Sequence, residues 1–137
     1  MRHLIREEGL TDFFELDSAG TAGWHIGKSP DSRMTAAARA RGITMTGRAR
    51  QVQPEDFATF DHIFAMDRSN YEDLLEVRSQ CGNPTAKLRL FCELCEEHDE
   101  DEVPDPYYGG PEGFEKVLDL LEDGCAAFLR EWRKGNP

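Results

Sequence analysis

The sequence predicts an α/β fold, a three-layer sandwich in which helices cover both faces of a parallel sheet. Strand-like and helix-like segments alternate along the chain, which is the order expected when helices connect parallel strands. In the segment at 62–66, His-Ile-Phe-Ala-Met, apolar residues do not alternate with polar ones, and an aspartate follows it. This pattern is typical of a strand that is buried on both faces. The 137 residues show no repeat or linker, so we predict a single domain over 1–137.

The individual segments are assigned from periodicity and from the residues that start or stop helices. Gly9 and Gly42 are expected to end helices, and Asp31 is expected to cap the start of one. In chain order we predict a helix over 2–8, a strand over 13–20, a helix over 31–41, a helical turn over 54–57, a strand over 62–66, a helix from 69 to about 80, a strand over 87–91 and an amphipathic helix over 114–132. The three strands, separated by helices, would form the parallel sheet.

The charge of the chain argues against two classes of partner. With 27 acidic and 16 basic residues the formal net charge is -11, whereas nucleic acids and anionic membrane surfaces attract basic proteins. The longest apolar runs are too short to cross a bilayer, and the N-terminus lacks the apolar core of a signal peptide. We therefore expect a cytoplasmic protein that binds neither nucleic acid nor membranes, with its four cysteines as free thiols.

The segment Pro104-Asp105-Pro106-Tyr107-Tyr108 is the most informative one chemically. Prolines on both sides hold the backbone of Asp105 away from helical conformations. A carboxylic acid fixed on a stiff loop beside aromatic rings is suited to act as a general acid, because rigidity keeps it aimed at a leaving group. An aspartate that merely starts a turn is the alternative for an isolated Asp-Pro pair.

Seven motifs, this loop among them, occur in an order and spacing that resemble the low-molecular-weight protein tyrosine phosphatase family. They are Asp-Ser-Ala-Gly-Thr at 17–21, Trp-His-Ile-Gly at 24–27, Pro-Asp-Ser-Arg at 30–33, Ala-Arg-Gln-Val at 49–52, Asp-Phe at 56–57, Met-Asp-Arg-Ser-Asn at 66–70, and the Asp-Pro-Tyr-Tyr-Gly loop at 105–109 with the helix that carries Cys-Ala-Ala-Phe-Leu at 125–129. Each motif alone is weak, but together they cover nearly the whole chain.

The resemblance implies a four-stranded parallel sheet and a phosphatase mechanism. In that mechanism a cysteine thiolate attacks a phosphotyrosine, and an aspartate protonates the leaving phenol and then activates water. By position this aspartate is Asp105, while Trp24, Tyr107 and Tyr108 would border the substrate pocket. The implied partner is a phosphotyrosine-containing protein or a small aryl phosphate, and neither a metal nor an organic cofactor is implied.

One part of the family pattern is missing from this sequence. The family's nucleophile loop is a cysteine, five residues and an arginine, followed by serine or threonine, between the first strand and the first helix. None of the cysteines, Cys81, Cys92, Cys95 and Cys125, has an arginine at the sixth following position. We expect that the chain begins inside the first helix, that its first strand and nucleophile loop lie upstream, and that the chain as written is inactive.

Three alternatives remain open from the sequence. Cys92, Cys95 and His98, with Cys81 upstream, could form a zinc site. A catalytically dead relative could act as a binding module through Tyr107, Tyr108 and the acidic stretch at 96–102. An arsenate reductase is a third possibility, although it needs the same missing loop.

Supporting residues are expected around the site. Asp31 and Arg33 should brace the neighbouring loop as a helix cap and an ion pair. Asp67 should lie at the carboxyl edge of the sheet, where ligands bind in open α/β folds.

Overall fold

The computed structural model describes residues 1–22, 27, 29–47, 49–106 and 110–136. Its helices are α1 (Arg2–Glu7), α2 (Ser32–Ala40), α3 (Asp56–Thr59), α4 (Arg68–Ser79) and α5 (Pro111–Gly135), and its strands are β1 (His62–Ala65) and β2 (Lys87–Leu90). Short 3₁₀ turns are formed by Thr11–Phe13 and Phe91–Leu94. The predicted alternation of helices and strands is confirmed from residue 32 onward.

Local capping explains where the helices begin and end. The Asp31 carboxylate accepts hydrogen bonds from the amides of Arg33 and Met34 at 2.8 and 3.2 Å, which satisfies two donors at the start of α2. Gly42 follows α2 with a φ of 78°, a conformation that glycine adopts without steric cost. Helix α5 begins at Pro111, where the missing N–H of proline is no loss.

The two strands pair in parallel and α4 connects them. Their register runs from His62 opposite Lys87 to Ala65 opposite Leu90. A further parallel bridge joins Gly20 to Gln51. The predicted strands at 62–66 and 87–91 are therefore confirmed in position, and the sheet is parallel as predicted.

The predicted strand over 13–20 is wrong. Residues Thr11–Phe13 form a 3₁₀ turn, and Phe14 is extended with φ −131° and ψ 134°. Within the described residues this segment pairs with another strand only through the Gly20–Gln51 bridge. An extended segment becomes a strand only where a neighbour supplies a ladder of hydrogen bonds, and that neighbour cannot be seen in the local sequence.

The end of the strand predicted at 62–66 is also corrected. The strand stops at Ala65, and Met66 is 36% exposed although its neighbour Ala65 is buried. The chain turns toward α4 at this point, so Met66 belongs to the sheet edge and not to the core.

The buried apolar residues form two clusters. One groups Phe57, Ala65 and Leu74, which come from α3, β1 and α4. The other joins the 3₁₀ turn Phe91–Leu94 to Val103 and to α5. Because Val103 and Val117 of α5 belong to this second cluster, packing holds the chain just before Asp105 against α5.

No helix among the described residues is both long and apolar enough to cross a bilayer.

Candidate active site

The loop that carries Asp105 is held at both of its described ends. The amide of Val103, a buried residue, donates a hydrogen bond to the Met66 carbonyl at 2.8 Å. Pro106 lies against the first turn of α5, because a Cβ added to Gly113 would be 3.4 Å from the Pro106 Cβ. Asp105 is therefore displayed on an exposed, proline-stiffened span between the end of β1 and the start of α5.

The start of α4 lies beside the same loop. Asp67 caps this helix by accepting a hydrogen bond from the Asn70 amide at 2.7 Å, as expected for a residue at the carboxyl edge of the sheet. The next amide, that of Arg68, donates to the Glu102 carboxylate at 2.6 Å, and the Arg68 guanidinium lies 3.3 Å from Asp101. The end of β1, the start of α4 and the Asp105 loop thus converge at one edge of the sheet, where open α/β folds bind ligands.

A second group ties the 17–21 motif to the 49–52 motif. The Arg50 guanidinium lies 3.0 Å from Asp17 through Nε and 3.0 Å from Asp56 through Nη1. The Gly20 amide donates to the Arg50 carbonyl at 2.8 Å, and the Val52 amide donates to the Gly20 carbonyl at 2.9 Å. Asp17, Arg50 and Asp56 each belong to one of the motifs at 17–21, 49–52 and 56–57, but no role for them was predicted from the sequence.

The charges of this group stabilise each other. Hydrogen bonding to Asp56 raises the pKa of Arg50. Burial would raise the pKa of Asp56, but hydrogen bonds from Arg50 and from the Gln53 amide outweigh it and hold this pKa below the ordinary carboxyl value. The arrangement is a charged clamp between two loops, and Asp56 in it is ionised at neutral pH.

The expected bracing by Asp31 and Arg33 is confirmed. Arg33 lies 3.3 Å from the Asp31 carboxylate. Its guanidinium also lies over the Phe114 ring, 5.0 Å from the ring centroid. The start of α2 is thereby packed against the first turn of α5, next to the Asp105 loop.

The predicted pocket residues Trp24, Tyr107 and Tyr108 lie outside the described residues. Their roles stay predictions from the family resemblance. Gly27, which is described, donates its amide hydrogen to the Ala49 carbonyl at 2.6 Å and is thereby tied to the 49–52 segment.

The cysteines are poorly suited to replace the missing nucleophile. Burial raises the pKa of Cys92 and raises the pKa of Cys95 to about 12, and burial also raises the pKa of Cys125. Since the thiolate is the reactive form, these three thiols are weak nucleophiles at neutral pH. Cys81 packs against the cluster around Phe57, whereas Cys92 and Cys95 belong to the other cluster.

The proposed zinc set is not assembled among the described residues. The ring of His98 is 2.7 Å from the Asp123 carboxylate, Nδ1 to Oδ2. Cys92 and Cys95 belong to the cluster around the 3₁₀ turn, whereas Cys81 belongs to the other cluster. Over the described part of the chain, His, Cys, Asp and Glu side chains form no group of three that could hold a metal ion.

Comparison with known proteins gives a consistent result. The family model described as "Low molecular weight phosphotyrosine protein phosphatase" matches residues 1–136. A Synechocystis protein that carries the low molecular weight protein-tyrosine-phosphatase name is 48% identical over 129 residues, which are 94% of this chain and 82% of that relative.

Solved structures agree with the fold. A protein tyrosine phosphatase from Entamoeba histolytica is 38% identical with a TM-score of 0.90, over 99% of this chain and 86% of that one. A Drosophila structure titled as an arginine phosphatase is 30% identical with a TM-score of 0.88, over 96% of this chain and 84% of that one. The α/β fold with a parallel sheet is therefore confirmed.

Proposed function

Because this chain belongs to the low molecular weight phosphotyrosine protein phosphatase family, enzymes of the protein-tyrosine-phosphatase kind, we propose that Asp105 is its general acid. The observation that carries the proposal is the anchoring of the Asp105 loop to the end of β1 by the bond from Val103 to Met66. A carboxyl group held on a stiff span at this edge can be aimed at the leaving oxygen of a bound phosphate ester.

The proposed reaction has two steps. A thiolate attacks the phosphorus, the bond from phosphorus to the phenol oxygen breaks, and Asp105 gives its proton to that oxygen. Water then attacks the cysteinyl phosphate, Asp105 takes the proton from this water, and phosphate leaves as the thiolate is regenerated. Trp24, Tyr107 and Tyr108 would border the aryl ring of the substrate.

The thiolate must come from a nucleophile loop, which the sequence as given does not contain. None of its cysteines is followed by an arginine at the sixth position. The thiols of buried Cys92 and of half-buried Cys95 and Cys125, with their raised pKa values, are no substitute. We therefore propose that these residues supply the acid side of the site and hydrolyse phosphate esters only together with such a loop.

The proposed substrates are phosphotyrosine-containing proteins or small aryl phosphates. Similarity to the Drosophila structure titled as an arginine phosphatase favours phosphoarginine as a second candidate. In that reaction the phosphorus–nitrogen bond breaks, and Asp105 would protonate the leaving nitrogen. A cytoplasmic location is proposed as well, because the four cysteines are free thiols.

A binding module is the second candidate function, and the observation that favours it is that residues 1–137 hold no cysteine with an arginine at the sixth following position. As a binding module the chain would contact a partner through the exposed Asp105 loop and the acidic residues beside it, and it would catalyse no reaction.

A fusion experiment separates the two functions. The fused chain has a relative's strand and nucleophile loop placed ahead of Met1, and its controls are the chain as given and a fused chain with the loop cysteine changed to serine. We expect the fused chain to hydrolyse p-nitrophenyl phosphate and a phosphotyrosine peptide while both controls do not.

The outcome that overturns the proposal is equally specific. A fused chain with the circular dichroism spectrum of a folded α/β protein that hydrolyses neither phosphotyrosine nor phosphoarginine substrates would leave the binding module as the better account. Hydrolysis of phosphoarginine alone would reassign the substrate and keep Asp105 as the acid.

A further inference from the structure

Helix α5 contains a buried carboxylate that the proposed reaction does not use. Asp123 is 8% exposed, and its side chain is 2% exposed. It accepts hydrogen bonds from the amides of Glu96 and Glu97, each at 3.0 Å, and lies 2.7 Å from the His98 ring. A buried charge is costly unless its oxygens are satisfied, and here three donors satisfy them.

These donors all lie at the start of one segment. We call residues 96–102 the acidic segment; it runs from the 3₁₀ turn after β2 to the loop of Asp105. Burial would raise the pKa of Asp123, but the bonds from His98 and the two amides outweigh it and hold this pKa below the ordinary carboxyl value. The start of the acidic segment is therefore fixed to α5 by an ionised group.

The far end of the acidic segment is tied to the candidate site. Glu102 accepts a hydrogen bond from the Arg68 amide at 2.6 Å, and Glu100 lies 2.5 Å from the Lys116 ammonium on α5. Val103 follows and donates to Met66. The acidic segment thus spans from a buried anchor to the base of the Asp105 loop.

We propose that Asp123 is a positioning residue, which holds the acidic segment so that Asp105 is aimed at the leaving group. The inference rests on the proposed function, since it needs Asp105 to be the general acid. Loss of the anchor would free the start of the acidic segment, and with it the base of the Asp105 loop. A misplacement of the order of 1 Å far from the reacting atoms can cost about a hundred-fold in rate.

The kinetic test uses the fused chain with Asp123→Asn. Its matched control is Glu122→Gln, the neighbouring acid on α5, whose carboxylate lies 3.4 Å from Arg41 at the end of α2. We expect Asp123→Asn to lower kcat/KM for phenyl phosphate about ten- to a hundred-fold, with a smaller loss for p-nitrophenyl phosphate, whose leaving group needs less protonation. Glu122→Gln should leave both rates unchanged.

A double variant separates positioning from a general structural defect. If Asp123 acts only by positioning Asp105, its substitution cannot slow a reaction in which Asp105 no longer takes part. Asp123→Asn should therefore lower the rate little in a chain that already carries Asp105→Asn. Additive losses, or equal losses for both substrates, would overturn the inference. If Asp105→Asn itself shows no preference between the two leaving groups, the proposed function fails instead.

Hydrogen exchange tests the anchor without any activity. In the chain as given, the Val103 amide should exchange faster in Asp123→Asn than in the parent, and Glu122→Gln should not change it. Unchanged exchange at Val103 would contradict the inference. If Asp123→Asn does not fold, His98→Gln removes one of the three donors and should shift the same amide in the same direction.

Discussion

The amide of Val103 donates to the Met66 carbonyl at 2.8 Å, so the Asp105 loop leaves the sheet at the point where β1 ends. The prolines at 104 and 106 then limit the conformations of the aspartate between them. This places the proposed general acid at the carboxyl edge of a parallel sheet, the usual ligand-binding edge of such folds.

Because α5 lies very close to the 3₁₀ turn Phe91–Leu94, we expect a single added methyl group to lower the stability of the fold. A Cβ at Gly124 would lie 2.4 Å from two atoms of the Phe91 ring, so Gly124→Ala forces that ring or the helix to move. We expect a loss of about 1–3 kcal/mol in the free energy of unfolding, measured by urea denaturation.

The control for this prediction is Gly113→Ala on the same helix. Its Cβ would make an ordinary contact of 3.4 Å with Pro106, so the better helix propensity of alanine should keep or raise stability by up to about 1 kcal/mol. Equal stability of the parent and Gly124→Ala would show that α5 does not pack this closely.

The clamp at Arg50 predicts a dependence of stability on pH. Since the pKa of folded Asp56 is lowered, its ionised form stabilises the fold above the unfolded carboxyl value of about 4, and this contribution is lost as the pH falls through the folded-state pKa. Asp56→Asn should lower the free energy of unfolding by about 1–3 kcal/mol at about pH 7 and by much less at about pH 3.

Urea denaturation at both pH values measures this difference. The control is Asp73→Asn, an exposed carboxylate on α4, which should change stability little at either pH. A loss in Asp56→Asn that stays constant down to about pH 3 would mean that the ionised carboxylate is not what stabilises the clamp.

Helices α2 and α5 are joined by an ion-pair network around Arg41. Its guanidinium contacts Glu115 and lies 2.9 Å from Asp119 and 3.4 Å from Glu122. These pairs are partly solvated, so we expect Arg41→Ala to cost about 1 kcal/mol in urea denaturation, with a smaller cost at high salt. Arg39→Ala, an exposed residue of the same helix, should be near neutral; an equal cost for both would argue against the network.

The thiols of the 3₁₀ turn should be protected from alkylation. Because burial raises the pKa of Cys92 and raises the pKa of Cys95 to about 12, both should react with iodoacetamide at neutral pH only after unfolding. Mass spectrometry of the labelled peptides measures this. Rapid labelling of either residue in the folded chain would contradict the burial of the turn.

The sequence predicted best what depends on neighbouring residues. The cap at Asp31 and the stop at Gly42 are local, because each side chain or backbone conformation acts within its own turn. The apolar run at 62–66 likewise indicated β1 without reference to its partner.

What the sequence could not predict depends on distant partners. The segment at 13–20 has the composition of a strand, but its pairing is decided by a neighbour elsewhere in the chain. Asp123 lies on an amphipathic helix, and from the sequence alone it would be taken for a solvated acid. Its burial depends on the amides of Glu96 and Glu97, which are distant in sequence. The Arg50 clamp was missed for the same reason, since Asp17 is far from it in sequence.

The most direct test of the account is the leaving-group dependence of Asp105→Asn in the fused chain. We expect kcat/KM for phenyl phosphate, which reports the cleavage of the phosphorus–oxygen bond and not the later attack of water, to fall about a hundred- to ten-thousand-fold, the usual contribution of a general acid, while kcat/KM for p-nitrophenyl phosphate falls far less. An equal loss for both substrates would contradict the assignment of Asp105 as the residue that protonates the leaving group.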